Sequence, residues 1–226
     1  MIKEQIAILL LGRQYWYNLL QLVFGQEPSE ELLVTFNSEA TREAFQIFFD
    51  DENLVIAGIF KDILSFEEKR KGEPDKSLEE TQSDYTKLFI GPHELQAPPW
   101  ECVYTGNHRM LFQKSTLVIR ELYRSEGFLP AEYPHVSDDH ISLELDFMNR
   151  LAQKCLQAFE QEDEESYRHF LQVQYQFLTE HLLKWVSRYT DDISRVAEGS
   201  FYAIVGRLLN EFIKVDKTLV EELLEL

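Results

Sequence analysis

Apolar residues recur at helical spacing along most of the chain. The first set repeats mostly at intervals of three, four and seven residues: Ile6, Leu9, Leu10, Tyr17, Leu20 and Phe24. This spacing places the side chains on one face of a helix. Gly25 and Pro28 follow this set and predict the end of the helix.

The rest of the first half also predicts mainly helices. Ser38 indicates the start of a short helix that carries several phenylalanines, and residues 54–66 predict another helix. The highly charged residues 67–77, which include a glycine and a proline, predict an exposed loop. Helical spacing resumes over residues 78–90, and a further helix is expected to begin with Ser115 as its cap.

The second half contains one long amphipathic helix and several shorter ones. Pro130 and Pro134 interrupt residues 127–137, so this stretch predicts a hinge rather than a regular helix. Alternating steps of four and three then follow: Ile141, Leu145, Met148, Ala152, Cys155 and Phe159. Asp138 or Asp139 would stand near the N-terminus of this helix, where acidic groups interact favourably with the helix dipole.

No segment alternates convincingly between apolar and polar residues as a half-buried strand would. The predicted fold is therefore all-α, an irregular helical bundle. We expect residues 1–226 to form a single helical domain, with the possible hinge at residues 127–137 between its N-terminal and C-terminal halves.

The chain is strongly acidic, with 22 lysines and arginines against 40 aspartates and glutamates and a formal net charge of −18. A surface of this sign repels phosphate backbones, which disfavours nucleic acid as a partner. The same surface would attract a basic peptide, although negative charge also serves solubility alone. The charge therefore fits a peptide-binding role without requiring one.

The sequence predicts neither a membrane span nor a secreted protein. No apolar run approaches the roughly 20 residues that cross a bilayer, and the N-terminal segment lacks a signal-peptide cleavage site. Cys102 and Cys155 are too few for a disulfide framework. We therefore expect a cytoplasmic protein with no stable membrane insertion.

Motifs of catalysis and cofactor binding are absent from the sequence. It contains no glycine-rich phosphate loop, no GxSxG, no HExxH and no CxxC. Scattered carboxylates are weak support for acid–base catalysis, because a chain this acidic brings such pairs together by chance. We therefore predict that the protein is not an enzyme and has no metal site and no cofactor.

Two aromatic segments are candidates for contact with a partner. Tyr85, Leu88 and Phe89 form an apolar ridge at helical spacing, an arrangement that more often belongs to a core. Trp100 and Glu101 follow two prolines that keep the backbone extended. The tryptophan is therefore either a peptide contact or a plug that seals the core.

His140 is a further candidate, because it directly follows Asp138 and Asp139. Nearby acids favour a protonated imidazole, whereas the positive end of a helix opposes it. Asp139 and His140 either cap the long helix and fix the preceding loop, or they bind a ligand.

Four short motifs follow one another along the chain. They are an aromatic-x-x-Leu-Phe run, an Ala-Pro-Pro-Trp-Glu stretch, an Asp-Asp-His sequence and a His-Leu-x-x-Trp sequence, at residues 85–89, 97–104, 138–140 and 181–185. Their order and spacing, strongest over residues 85–151, resemble the TorD/DmsD family of cytoplasmic chaperones for molybdenum-cofactor oxidoreductases. Val136 and Ser137 depart from the family pattern, which has Glu and Pro at these positions.

The resemblance implies an all-helical chaperone without a cofactor. Such a chaperone binds the twin-arginine signal peptide, or leader, of a molybdoenzyme, and it assists maturation of the apo catalytic subunit before export. The leader is expected in a groove lined by Tyr85, Leu88, Phe89, Pro99, Trp100, Glu101, Asp139 and His140. The acidic charge agrees with this role, because the leader's arginines require carboxylates.

The family also implies a choice of oligomeric state and a second function. Domain-swapped dimers in the family imply a monomer or a swapped homodimer, with residues 127–137 as the hinge. The alternative function is a helical protein that binds a small molecule or guanine nucleotide. The missing phosphate loop and the acidic charge count against a strong nucleotide site.

Overall fold

The computed structural model describes residues 3–49, 53–91, 94–106, 114–129 and 137–226. Every regular element in these residues is helical. An isolated antiparallel bridge pairs Trp100 with His140. The all-α prediction is confirmed. Among the described residues, none of the helices combines the length and apolarity that crossing a bilayer requires.

The helices that the structure describes follow the predicted apolar segments closely. In chain order they are α1 (Lys3–Gly25), α2 (Glu30–Phe36), α3 (Glu39–Phe48), α4 (Leu54–Gly72), α5 (Pro74–Tyr85), α6 (Glu101–Thr105), α7 (Lys114–Ser125), α8 (Ile141–Glu160), α9 (Glu164–Phe177), α10 (Leu183–Val196) and α11 (Phe201–Glu225). Two π-helical segments, Thr86–Ile90 and Leu178–Leu182, continue α5 and α9. Ser38 caps α3 as predicted, because its side chain accepts a hydrogen bond from Thr41 N.

The prediction of an exposed loop at residues 67–77 is wrong. Only Glu73 separates α4 from α5, and Pro74 occupies the first turn of α5, where its missing N–H costs nothing. The charges support helix because they pair one turn apart, with Lys71 Nζ 2.6 Å from Glu67 Oε1. Glu67 is itself buried.

Two smaller predictions also differ from the structure. Ser115 lies inside α7, which begins at Lys114, so Ser115 is not its cap. Residues 86–90 form a π-helical segment rather than the end of an α-helix. Gly127 has a φ of 69°, which suits glycine, but residues 130–136 lie outside the described residues. The hinge at residues 127–137 stays a prediction.

The chain divides into two compact units. Unit 1 consists of Met1–Gly25, Pro99–Val186 and Ile213–Leu226. A fully buried ion pair lies in this unit, with Arg13 Nε 2.6 Å from Asp216 Oδ1. Gln174 Oε1 accepts a further bond from the same guanidinium at 2.7 Å. Tyr17 also donates to Asp216 Oδ2, and these bonds offset part of the cost of burying the pair, although Arg13 Nη1 has no partner among the described residues.

Unit 2 consists of Gln26–Pro98 and Ser187–Phe212. Its core is rich in aromatic pairs. The ring of Phe201 lies 5.0 Å from that of Phe36 and 5.1 Å from that of Phe66. Phe48 and Phe212 pair at 5.6 Å. These contacts join helices that are far apart in sequence, which is why unit 2 is discontinuous along the chain.

Candidate functional site

The Ala-Pro-Pro-Trp-Glu and Asp-Asp-His segments meet in unit 1 through backbone pairing. Glu101 N donates to the carbonyl oxygen of Asp139 at 2.9 Å, and Ile141 N donates to the carbonyl oxygen of Pro99 at 2.9 Å. These bonds set Trp100 opposite His140, and the two rings meet edge to face with centroids 5.7 Å apart. Both side chains are partly exposed. We call this pair of rings the aromatic corner.

Asp139 lies behind the aromatic corner and is 0% exposed. Its Oδ2 accepts from Cys102 N at 2.9 Å, and its Oδ1 accepts from the hydroxyl of Ser137. Asp139 therefore caps the first turn of α6, where a negative charge is favourable. Both carboxylate oxygens are engaged by the chain itself.

His140 caps α8, with its Nδ1 accepting from Ser142 N at 3.2 Å. Burial lowers the pKa of His140 to about 4, although the charge of Asp139 acts in the opposite direction. The imidazole is therefore neutral at pH 7, as an accepting Nδ1 requires. The expectation that Asp139 and His140 both cap the long helix is half right: His140 caps α8, and Asp139 caps α6.

The His-Leu-x-x-Trp motif supplies partners for two buried acids of unit 1. Glu101 Oε2 lies 2.9 Å from His181 Nδ1, and both residues are buried. Trp185 Nε1 donates to Glu144 Oε2 at 3.1 Å. Burial raises the pKa of Glu144 well above its usual value, and the neighbouring charge of Glu101 raises it further. The protonated form of Glu144 is therefore favoured over its carboxylate.

Sequence reasoning missed these two buried contacts. The spacing of His181 and Trp185 in their motif was the available signal, since a histidine and a tryptophan four residues apart share a helix face. No signal in the sequence pointed to Glu144. The structure also gives Asp138 a structural partner, because Arg120 Nε donates to its Oδ2 at 2.7 Å.

The predicted apolar ridge lies in unit 2, where α5 passes into the π-helical segment Thr86–Ile90. Leu88 and Phe89 are buried. Tyr85 is partly exposed, and its ring lies 5.5 Å from Phe89 and 6.1 Å from Tyr202. Burial raises the pKa of Tyr85, so the phenol stays neutral at physiological pH. The ridge is mainly core, with one accessible ring.

The eight predicted site residues differ in accessibility and in location. Three are partly exposed, namely Tyr85, Trp100 and His140. Five are buried, namely Leu88, Phe89, Pro99, Glu101 and Asp139. The ridge residues 85, 88 and 89 belong to unit 2, and the other five belong to unit 1. Of the eight residues, the three with partly exposed rings are accessible to a ligand.

Metal binding was not predicted from the sequence. Among the described residues, no cluster of three His, Cys, Asp or Glu side chains is arranged to hold a metal ion. Cys102 and Cys155 are buried, and neither forms a disulfide. Burial raises the pKa of Cys155 to about 11, so this thiol is not a reactive thiolate at neutral pH.

Comparison with known proteins identifies the family. The sequence model of the nitrate reductase delta subunit family matches residues 57–191. The chain belongs to this family. Its relatives bear chaperone names, and they confirm the resemblance to TorD and DmsD that the motifs predicted.

Three relatives of this family member align over most of its length. Chaperone protein TorD of Vibrio cholerae serotype O1 is 26% identical over 211 residues, which cover 93% of this chain and 92% of the relative. Chaperone protein TorD of Aliivibrio salmonicida is 27% identical over 202 residues, 89% and 90% of the two chains. The "Probable Tat proofreading chaperone DmsD" of Haemophilus influenzae is 26% identical over 195 residues, 84% and 82%. These names agree with the prediction that the protein is not an enzyme.

Proposed function

We propose that the protein is a cytoplasmic chaperone that binds the twin-arginine leader of a molybdenum-cofactor oxidoreductase. It would assist maturation of the apo catalytic subunit of that enzyme before export. The observation that carries this proposal is the similarity to TorD, which extends over 93% of the chain. The accessible aromatic rings suit the apolar stretch of such a leader, and the acidic charge attracts its arginines.

The proposal assigns the eight site residues to two roles. Three partly exposed rings contact the leader: Tyr85, Trp100 and His140. Five buried residues hold those rings in place: Leu88, Phe89, Pro99, Glu101 and Asp139. Aromatic rings suit the apolar stretch of a leader, because they offer a large contact area with little loss of side-chain entropy.

Charge supports the same assignment. The lowered pKa of His140, about 4, keeps the aromatic corner neutral at pH 7, so the corner does not repel an arginine-bearing peptide. The net charge of −18 attracts such a peptide at long range. This attraction accelerates encounter and weakens with salt.

The twin-arginine leader of a candidate client molybdoenzyme provides the test. Calorimetry compares that peptide with a version in which both arginines are lysines and with a scrambled version. We expect the Trp100→Ala variant to bind about tenfold or more weakly, because a buried aromatic anchor contributes on the order of 2 kcal/mol to binding. Phe170→Ala removes another partly exposed ring of unit 1 and serves as the control. Equal binding of the native and scrambled leaders by the unaltered protein would refute the proposal.

The guanine-nucleotide alternative finds no support in two cavities of unit 2. One cavity is lined by Phe45, Phe49, Phe60, Ile56, Ala57 and Gln46, so it offers almost no polar contacts. In the other, polar cavity, the two lining cations, Lys69 and Arg207, are already paired with carboxylates. A phosphate would have to displace those carboxylates.

A further inference from the structure

A polar cavity of about 230 Å³ lies within unit 2, between α4, α5 and the start of α11. Its charged lining comprises three carboxylates and two cations: Asp62, Glu80, Asp84, Lys69 and Arg207. The lining therefore carries one negative charge in excess. Cavities that hold whole small molecules usually measure about 300–1,000 Å³, so this one is sized for a single side chain.

Two of the three carboxylates are paired with the two cations of the lining, which leaves the third carboxylate unpaired. Lys69 Nζ lies 2.6 Å from Glu80 Oε2, and Arg207 Nη2 lies 2.6 Å from Asp62 Oδ2. Asp84 has no hydrogen bond and no ion pair within the described part of the chain. Partial burial raises the pKa of Asp84, although the charge of Lys87 opposes this effect. A cation in the cavity would relieve that unfavourable burial of charge.

Ser77 gives a second and independent indication of a ligand. Its side chain lines the cavity and is only 2% exposed, and its hydroxyl has no hydrogen-bond partner among the described residues. Thr81, one turn later, uses its own hydroxyl to donate to the carbonyl oxygen of Ser77 at 2.7 Å. Buried hydroxyls are nearly always bonded, so the free Ser77 oxygen marks a place for a donor from outside.

The chemistry of the walls favours a guanidinium over an ammonium or an anion. Phe66 lines the cavity and is partly exposed, and a planar guanidinium stacks on an aromatic face. An anion would meet the excess negative charge. A backbone N–H at the start of α11 is also unavailable to an anion, because Ala203 N already donates to Ser200 Oγ at 3.1 Å.

We propose that this cavity receives an arginine side chain of the leader, with the Asp84 carboxylate and the Ser77 hydroxyl as acceptors of its N–H groups. This inference rests on the proposed leader binding and extends it. The buried acids Asp139 and Glu101 are already occupied within unit 1. An accessible carboxylate is therefore required elsewhere, and Asp84 is the lining acid of this cavity that has no partner among the described residues.

The test measures binding of the same candidate client's leader to Asp84→Asn and Ser77→Ala, beside the unaltered protein. Asparagine keeps the shape of Asp84 and removes its charge. We expect Asp84→Asn to bind the twin-arginine leader about tenfold more weakly, and to lose most of the preference for arginine over lysine. Ser77→Ala should cost a few-fold in affinity. Glu79→Gln, an exposed acid of α5 outside the cavity, is the matched control and should bind normally.

The possible outcomes separate the two proposals. If the unaltered protein binds the leader, Trp100→Ala weakens that binding, and Asp84→Asn leaves both affinity and arginine preference unchanged, the cavity proposal is overturned and leader binding stands. If the unaltered protein does not discriminate the leader from its scrambled version, both proposals fall. Inorganic phosphate is added as a competitor, and tighter phosphate binding by Asp84→Asn would assign the cavity to an anion and overturn the arginine assignment. Thermal melts verify that each variant is folded.

Discussion

Trp100 and His140 lie opposite each other in an isolated antiparallel bridge, with ring centroids 5.7 Å apart. The bridge turns two sequence motifs into one structural feature of unit 1. It also turns the flanking acids inward, since Asp139 and Glu101 are both buried and bonded. The two motifs therefore form a backbone arrangement that leaves two rings partly exposed, and their carboxylates stabilise this arrangement.

Asp139→Asn tests this structural role. Both oxygens of Asp139 accept hydrogen bonds, so an amide group must reverse the bond with Ser137 or turn an NH₂ toward Cys102 N. It also removes the charge at the start of α6. We expect a loss of about 1–3 kcal/mol in unfolding free energy, which lowers the melting temperature by several degrees. Leader affinity of the folded fraction should fall far less than in Trp100→Ala, because Asp139 positions the corner without contacting the leader. A tenfold loss of affinity with an unaltered melting temperature would instead place Asp139 on the leader.

Glu144→Gln should stabilise the protein increasingly as the pH rises. The pKa of Glu144 is raised in the folded state, so above about pH 4.5 the unfolded chain loses a proton that the native protein keeps. That difference destabilises the native protein progressively up to the folded pKa. Glutamine retains an acceptor for Trp185 and does not titrate. Urea unfolding at pH 4.5 and pH 8 measures the effect, and an equal difference between variant and parent at both values would contradict it.

His140→Asn should make the protein less sensitive to acid. Because the pKa of His140 is lowered to about 4, the native protein excludes a proton that the unfolded chain binds below about pH 6.5. Stability is therefore lost as the pH falls from 6.5 toward 4. Asparagine caps helices well and carries no titrating group. The difference between the melting temperatures at pH 7 and pH 5 should be smaller in this variant than in the parent, and an unchanged difference would contradict the prediction.

The sequence was most informative where helix faces are amphipathic. The apolar residues from Ile141 to Phe159 predicted α8 with its start correctly placed, because burial alone determines their spacing. The loop prediction for residues 67–77 is wrong because a run of charged residues occurs in exposed helices as well as in loops. Paired charges such as Glu67 and Lys71 also stabilise a helix, and spacing alone distinguishes the two cases.

The site was less predictable than the fold because it depends on long-range contacts. Proximity of Asp139 to the long helix suggested a cap there, yet its partner is Cys102, 37 residues away in sequence. The free hydroxyl of Ser77 and the unpaired carboxylate of Asp84 are likewise invisible in sequence. Both residues lie on one face of α5, two turns apart, and the packing of α4 and α11 against that face encloses them in one cavity.

Gly25→Ala tests the packing behind the aromatic corner, and Gly58→Ala in unit 2 provides a contrast that should act in the opposite direction. A Cβ on Gly25, the last residue of α1, would lie 2.9 Å from Ser142 Cβ in the first turn of α8. Gly25→Ala must therefore displace the turn that His140 caps, and we expect a loss of about 1–3 kcal/mol. Gly58, inside α4, has no atom within 4 Å of its virtual Cβ. Gly58→Ala should stabilise by about 0.5–1 kcal/mol through helix propensity. Chemical unfolding of both variants measures the contrast, and a stabilising Gly25→Ala would show that α1 and α8 do not approach so closely.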